Sequence, residues 1–169
     1  WRDAGLPLVP VSSLPARNAS GATVWVTRSR PKIDRIACPW LIRRFVDPSA
    51  VFLFVAPGEV SAVAERFSAT PFDVEGVFWS HREELCTFDV MVAEFGLASE
   101  ALNRVATIVR GADTDRLDIA PEAAGLLAIS LGLSALAGDD DHALLRRGFV
   151  VYDGLYAWLR FAAGERHNW

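Results

Sequence analysis

Short runs of β-branched and aromatic residues alternate with stretches of helical period along the first half of this chain. Residues 24–27 and 51–55 are two such runs, each bounded by residues that break regular structure, and both predict strands. Residues 77–79 form a weaker third run. Between the first two runs, apolar residues recur at helical spacing over residues 33–45. The pattern therefore predicts a strand–helix–strand unit followed by one more short strand.

The remaining apolar positions follow a helical period, and beyond residue 86 no strand pattern is left. Glycine and proline supply the boundaries, with Gly111 and Gly148 expected just after helix ends. The predicted helices cover residues 60–67, 87–95, 99–110, 121–131, 140–147 and 151–163. We expect an α+β fold that is predominantly helical, with a small sheet of about three strands packed against the helices.

The first 22 residues show neither a helical nor an alternating period and are rich in proline, glycine and small polar residues. Such a composition is typical of a linker or an extended arm. We therefore predict that residues 1–22 are a linker or the tail of a preceding domain and that residues 23–169 form the folded domain. Residue 1 is Trp rather than Met, which predicts a fragment of a longer protein.

The composition is that of a soluble globular domain: 169 residues, 51% hydrophobic, 22% charged and a net charge of −4. Without a basic field or a helix-turn-helix pattern, this fragment is not expected to bind nucleic acid. The longest uncharged apolar run, residues 123–137, is too short to span a membrane, so no membrane partner is expected. Two cysteines do not make a disulfide framework, and no secretory signal precedes them, which favours a cytoplasmic location.

Residues 28–45 combine an apolar helix pattern with five arginines, a lysine, an aspartate and a cysteine. Arg44 falls on the apolar side of that helix, which predicts a buried guanidinium paired with a carboxylate. Pro39 predicts that the helix begins or bends there, which puts Cys38 near a helix start. Cys86 precedes Thr87, a good N-cap residue. Helix N-termini and nearby cations lower a thiol's pKa, so both cysteines are candidates for thiolate character.

A second polar stretch, residues 80–89, holds His81 and Cys86, and Asp113 follows a small-residue turn. If these segments meet, they form a mixed sulfur, nitrogen and oxygen site suited to zinc or iron. The predicted metal ligands are Asp34, Cys38, His81, Cys86 and Asp113. Arg28 and Arg35 are predicted instead to hold an anion, because a guanidinium binds oxyanions bidentately. No glycine-rich nucleotide or flavin fingerprint is present.

The chain from Trp25 to Trp169 resembles the C-terminal domain of the chromate-resistance ChrB family. The matching motifs are long, although the family usually has glycine where this chain has Glu83. The motifs are T-R-x-R-P-K-I-D-R-I-A-C-P-W-L-I-R-R-F at 27–45, P-F-D at 71–73, S-H-R at 80–82, C-T-F-D at 86–89, I-V-R-G-A-D-T at 108–114 and A-P-E-A-A-G-L-L at 120–127. Residues 1–9 also resemble the end of a rhodanese domain, which precedes this domain in some relatives.

The resemblance implies a bacterial cytoplasmic protein linked to chromate resistance, in some members a chromate-responsive regulator whose DNA-reading domain is separate and N-terminal. Three functions stay open. The favoured one is a sensor or binding domain that holds a metal ion or a chromate-like oxyanion, whose arrival reshapes the domain. The preceding domain of the full-length protein is an expected partner. The second is a redox enzyme that uses a metal or the thiols on chromate or sulfur species. The third is a structural domain whose polar residues form buried networks.

Overall fold

A computed structural model describes residues 14–166, and over this range the chain forms a three-stranded parallel sheet and six α-helices. The strands are β1 (Val24–Arg28), β2 (Val51–Val55) and β3 (Thr70–Pro71), in the spatial order β2-β1-β3. The register places Val24 opposite Val51 and Trp25 opposite Thr70. This confirms the predicted α+β fold with its small sheet.

Helices dominate the described chain. They are α1 (Asp34–Leu41), α2 (Val60–Phe67), α3 (Thr87–Glu94), α4 (Glu100–Asp113), α5 (Ala123–Ala137) and α6 (Asp141–Phe161). Because β1 and β2 are parallel, the chain must cross over between them, and α1 makes that crossover. None of the helices in residues 14–166 combines the length and the apolar character that crossing a membrane requires.

The third strand was predicted at the wrong place. It is Thr70–Pro71, and residues 77–79 contribute only an isolated bridge between Phe72 and Trp79. The run at 77–79 is hydrophobic for another reason, since Trp79 packs into the core, stacked on Phe95 with ring centroids 4.7 Å apart. Burial of an aromatic ring in a loop and burial in a strand leave the same signal in sequence.

Helix α1 begins at Asp34 and runs through Pro39, so the expectation that Pro39 starts the helix is wrong. The ring only removes the hydrogen bond to the Arg35 carbonyl, and α1 passes into a π-helical turn at Ile42–Val46. Cys38 consequently lies inside α1, remote from the N-terminal N–H groups that would favour a thiolate.

One long helix, α6, replaces the two helices predicted on either side of Gly148. Gly148 serves packing rather than termination, because a Cβ at this position would lie 2.5 Å from Cγ2 of Ile36 in α1. The missing side chain lets α6 approach α1 closely. Gly154, one and a half turns further on, has no atom within 4 Å of its Cβ position.

Arg44 is not buried: 45% of its side chain is exposed. The expected carboxylate partner exists, since Nε and Nη2 of Arg44 donate to the two oxygens of Asp153 at 2.8 and 2.6 Å. The π-helical turn rotates the residues after Ile42 away from the ideal 100° positions, which moves Arg44 to the surface.

The domain division stays a prediction. Residues 1–13 lie outside the described range, together with the rhodanese-like residues 1–9. Residues 17–23 contact the folded body, since Arg17 pairs with Thr23 in an isolated bridge and forms an ion pair with Asp47 at 3.2 Å. The chain is thus tied to the domain ahead of β1.

Candidate metal centre

Three carboxylates surround one ring nitrogen of His81. Its Nε2 atom lies 3.2 Å from Oδ2 of Asp113, 3.3 Å from Oδ1 of Asp73 and 3.4 Å from Oδ2 of Asp34. These residues come from four separate parts of the chain, brought together at the carboxyl ends of the parallel strands. Asp34 follows β1 and Asp73 follows β3, the edge where open α/β sheets place their ligand sites.

The spacing around Nε2 differs from that of an ordinary hydrogen bond. The nitrogen carries a single proton and can donate to one oxygen, whereas three oxygens lie at nearly equal distance. Each contact is longer than the about 2.7–2.9 Å of a charge-assisted hydrogen bond. Ligand atoms that share a tetrahedral ion with bonds of about 2.0–2.1 Å lie about 3.3 Å apart. The three nitrogen–oxygen separations are of that size, and the ligand atoms of Asp34, His81 and Asp113 lie within 4.8 Å of one another.

Asp34 is the deepest ligand and is fully buried. It opens α1 and points at the start of α3, where its Oδ2 accepts the Thr87 N–H at 2.6 Å and its Oδ1 the Phe88 N–H at 3.4 Å. Free N–H groups at a helix start favour a negative charge, which explains how a carboxylate is tolerated in the core. One carboxylate therefore joins two helices and the His81 site.

Asp113 ends α4 and is only partly buried, with 19% of its side chain exposed. Its Oδ1 lies 3.4 Å from the Asp34 backbone N–H, and its Oδ2 faces His81. The end of α4 packs tightly, because a Cβ on Gly111 would lie 2.9 Å from the Cβ of Ala123. A glycine two residues before Asp113 therefore fixes where this carboxylate can sit.

Asp73 was missed by sequence reasoning. It has a φ of +51°, in the left-handed region that aspartate tolerates better than most residues. Its side chain is held on three sides: Oδ1 accepts from Thr87 Oγ1 at 2.9 Å, and Oδ2 lies 3.2 Å from Arg28 Nη2 and 3.3 Å from Arg35 Nε. Asp73 closes the quoted P-F-D motif two residues after β3, but the sequence predicted no strand at that place.

A tighter group within this cluster consists of Asp34, His81 and Asp113, whose ligand atoms all lie within 4.8 Å of one another. Neither predicted cysteine ligand belongs to that group. Cys38 and Cys86 are fully buried, and the Sγ of Cys86 donates to Oδ2 of Asp89 at 3.2 Å. Three of the five predicted metal ligands therefore converge, and the two thiols lie outside their group.

Thiolate character was the wrong expectation for both cysteines. Burial raises the pKa of Cys38 well above its usual value, and Asp34 and Asp73 raise it further. Burial also raises the pKa of Cys86, with added repulsion from Asp34 and Asp89. The sequence predicted helix starts and arginines near both cysteines, and these would lower a thiol's pKa. In the structure the charges that act on the thiols are carboxylates, which raise it.

The two predicted anion-binding residues lie beside the cluster, paired with Asp73. Arg28 donates to the Asp73 backbone carbonyl at 2.9 Å as well as to its side chain. Arg35 also donates to the backbone carbonyls of Arg28 and Ser29, at 3.2 and 3.1 Å. Both guanidiniums therefore already have oxygen acceptors and neutralise Asp73.

The electrostatics of the cluster favour a cation. Asp113, Asp34 and Asp73 together raise the pKa of His81 to about 12. Burial raises the pKa of Asp34 to about 6, even though His81 opposes the shift. Burial would also raise the pKa of Asp73, but contacts with His81, Thr87 and the arginines outweigh it and the pKa is lowered. The cluster thus attracts positive charge at its centre.

The cluster is reachable from outside. His81 is 40% exposed and lines a cavity of about 560 Å³ together with Arg28, Asp73, Glu75 and Ser80. The cavity therefore reaches His81 and Asp73, whereas Asp34 and Asp113 lie behind them and are not part of its lining.

Glu83 lies in the turn next to His81, where Arg82 and Leu85 exchange backbone hydrogen bonds of 3.0 and 2.9 Å. It has a φ of +54°, a conformation that glycine adopts without strain. The glycine usual in the family is therefore the less strained choice, and the turn keeps its shape with glutamate.

Comparisons with known proteins agree with the motifs. A family model described as "ChrB, C-terminal domain" matches residues 25–159. Protein ChrB of Cupriavidus metallidurans is 35% identical over 133 residues, which cover 78% of this chain and 39% of that protein. The chain therefore spans about two fifths of the length of this relative. No solved structure matches this chain. On these matches the chain belongs to the ChrB C-terminal domain family, the chromate-resistance family that its motifs predicted.

Proposed function

We propose that this domain is a sensor module that binds a divalent metal ion, zinc or iron, between Asp34, His81 and Asp113. The single observation that carries the proposal is the ring nitrogen of His81 with carboxylate oxygens on three sides at 3.2–3.4 Å. One proton cannot serve three acceptors, but one ion can serve several ligands.

The donor set supports zinc or iron. Imidazole suits zinc and iron, and carboxylates complete the coordination when thiolates are missing. Asp73 lies beside the three ligands, with its charge already offset by Arg28 and Arg35. Asp73 faces Nε2, the same nitrogen that would bind the ion, so it accepts no hydrogen bond from His81 once the ion is bound and lies outside the proposed ligand set.

The oxyanion form of the sensor and the thiol-based redox enzyme have less support. An oxyanion held by Arg28 and Arg35 would compete with Asp73, which already pairs with both guanidiniums, and Glu75 in the lining of the cavity would repel it. Thiol-based redox chemistry needs an accessible thiolate, whereas Cys38 and Cys86 are fully buried. Neither alternative draws on the contacts around His81.

In the proposed function the ion is the signal and a preceding domain is the receiver. The relative's greater length leaves room for such a domain. We further propose that the module works in the cytoplasm, in the response to chromate, and that it does not itself bind nucleic acid, since its net charge is −4. The metal site is the part of this proposal that can be tested on the chain alone.

The test is elemental analysis of the purified chain together with a zinc titration. We expect about one ion per chain and its loss in His81→Ala, because removing one of three ligands leaves the site incomplete. His142→Ala is the matched control, since His142 is exposed and packs near Phe54 rather than in the cluster. Equal metal content in both variants would refute the site.

A second pair of variants addresses the thiols. Cys86→Ser keeps the size of the side chain and its bond to Asp89, so metal content is expected to stay unchanged. Cys38→Ala is expected to retain the ion as well. Loss of the ion in either variant, with the fold intact by circular dichroism, would restore the mixed sulfur site predicted from sequence.

A further inference from the structure

The segment that carries His81 separates two cavities. On one side, Val74, Ser80 and His81 line the cavity of about 560 Å³ beside the candidate metal centre. On the other side, Phe78 and Trp79 line a cavity of about 410 Å³, whose further walls include Leu14, Pro15 and Pro71. Val77 lines both cavities. Residues 73–81 are therefore a shared wall, which we call the strap.

The strap is tied so that its two sides cannot move independently. The Asp73 N–H donates to the Trp79 carbonyl at 2.8 Å, which closes the segment on itself. Only Ser80 separates Trp79 from His81. The Trp79 ring in turn packs edge-on against Trp25 at 5.8 Å, on the central strand. A change in the position of His81 is therefore passed to Trp79 within one residue.

Arg82 provides a second connection next to His81. Its guanidinium lies over the Phe78 ring, 4.6 Å from the centroid, and donates to the Phe78 carbonyl at 3.3 Å. It also pairs with Glu94. Phe78 and Glu94 both line the cavity that contains Leu14 and Pro15. Arg82, which follows the proposed ligand His81, thus contacts two residues that line the second cavity.

Leu14 and Pro15 are the first residues that the structure describes, so the described chain begins at this cavity. Phe78 is 59% exposed there, a large apolar side chain beside the joining point. Packing of this kind depends steeply on small displacements, because closely fitted side chains have few alternative arrangements. Side-chain packing in the second cavity is therefore sensitive to displacements of the strap at the first cavity.

We propose that ion binding at His81 changes the packing of Leu14 and Pro15 against Phe78 and Trp79, so that the strap conveys metal occupancy to the chain's N-terminal segment. This inference rests on the proposed metal site. An ion can shift the strap only if it binds one arrangement better than the other. The proposed ion is held by Asp34, His81 and Asp113 and takes the place of the Nε2 proton that also faces Asp73, so it favours an arrangement in which His81 has lost its contact with the first residue of the strap.

Hydrogen–deuterium exchange of the 169-residue chain, with and without zinc, tests the inference. With zinc at about 100 times its Kd, amides whose exchange requires release of the ion slow by about 100-fold. We expect slowed exchange in residues 73–86 and, as the sign of coupling, in residues 14–18. Phe78→Ser is expected to keep the zinc affinity and the effect at 73–86 but to lose the effect at 14–18. Phe67→Ser is the matched control, since Phe67 is also exposed, at 53%.

The outcomes separate the two proposals. No zinc binding at all would refute the metal site itself. Stoichiometric zinc binding with slowed exchange confined to residues 73–86 would refute the coupling and leave the metal site standing. Slowed exchange at residues 14–18 that survives in Phe78→Ser would refute the route through the strap.

Discussion

Helix α1 and the π-helical turn after it hold a carboxylate cluster at each end, and the two clusters are built differently. At the far end, Asp153 accepts two N–H groups from Arg44 and one from Trp40, at 2.6–2.8 Å. At the near end, Asp34, Asp73 and Asp113 converge on one nitrogen of His81, with no contact shorter than 3.2 Å. Each oxygen of Asp153 has a short donor, whereas the single Nε2 proton of His81 faces three acceptor oxygens.

This difference distinguishes a structural ion pair from a binding site. A carboxylate with short, directed donors is complete, and nothing further is gained by adding a cation. A fully buried carboxylate costs stability in its ionised form even where it has donors. Asp34 accepts a backbone N–H at each oxygen, at 2.6 and 3.4 Å, and burial still raises its pKa to about 6.

The largest expected effect is that of Asp34→Asn, with the same substitution at Asp153 as its comparison. Asp34→Asn removes a ligand charge and is expected to weaken zinc binding by about 100-fold or more, within the range seen when metal sites lose supporting groups. It is not expected to lower the stability of the metal-free protein at pH 8, because a buried charge disappears. Isothermal titration and urea denaturation measure the two effects.

Asp153→Asn should give the opposite result. Zinc affinity is expected to be unchanged, while the free energy of unfolding falls by about 0.5–1 kcal/mol, the usual value of a half-exposed ion pair. If Asp153→Asn also weakened zinc binding, or if Asp34→Asn left it intact, the contrast between the two clusters would be wrong.

An intermediate effect is expected from the packing that supports α1. Gly148→Ala places a methyl group against Ile36 and is expected to cost about 1–2 kcal/mol, since overpacking outweighs the gain in helix propensity. Gly154→Ala, in the same helix but in open space, should stabilise by about 0.5–1 kcal/mol. Thermal denaturation of both variants measures these changes. Melting temperatures that shift in the same direction would contradict the close approach of α6 to α1.

The pH dependence of the metal-free protein tests the charge of His81. Because the pKa of His81 is raised from 6.5 to about 12, its stabilising contribution is complete below pH 6.5 and is lost as pH rises toward 12. The melting temperature should therefore decline from pH 6.5 to 9, and His81→Gln should flatten that decline. Zinc must displace this proton, so binding at pH 8 should release about one proton per ion. A melting temperature that rises from pH 6.5 to 9 would refute a protonated His81 held by the three carboxylates.

The sequence identified most residues of the candidate site but not the chemical character of the two cysteines. Asp34, His81 and Asp113 were identifiable because polar residues stood where packing alone did not require them, and the motifs that contain them established the family. Asp73 was overlooked although it follows a strand, since one aspartate after Pro-Phe carries no signal of its own. Cys38 and Cys86 looked reactive because periodicity shows neighbours along a helix and not those across the core.

What the sequence alone determined is the fold class, most helices and the family, because these follow from periodicity, helix boundaries and long motifs within single segments. Tertiary structure decided the rest. It placed Arg44 on the surface through a π-helical turn, used Gly148 for close packing instead of a helix end, and joined four distant residues around one nitrogen. Such outcomes depend on which segments meet in space, and no local pattern along a chain encodes that.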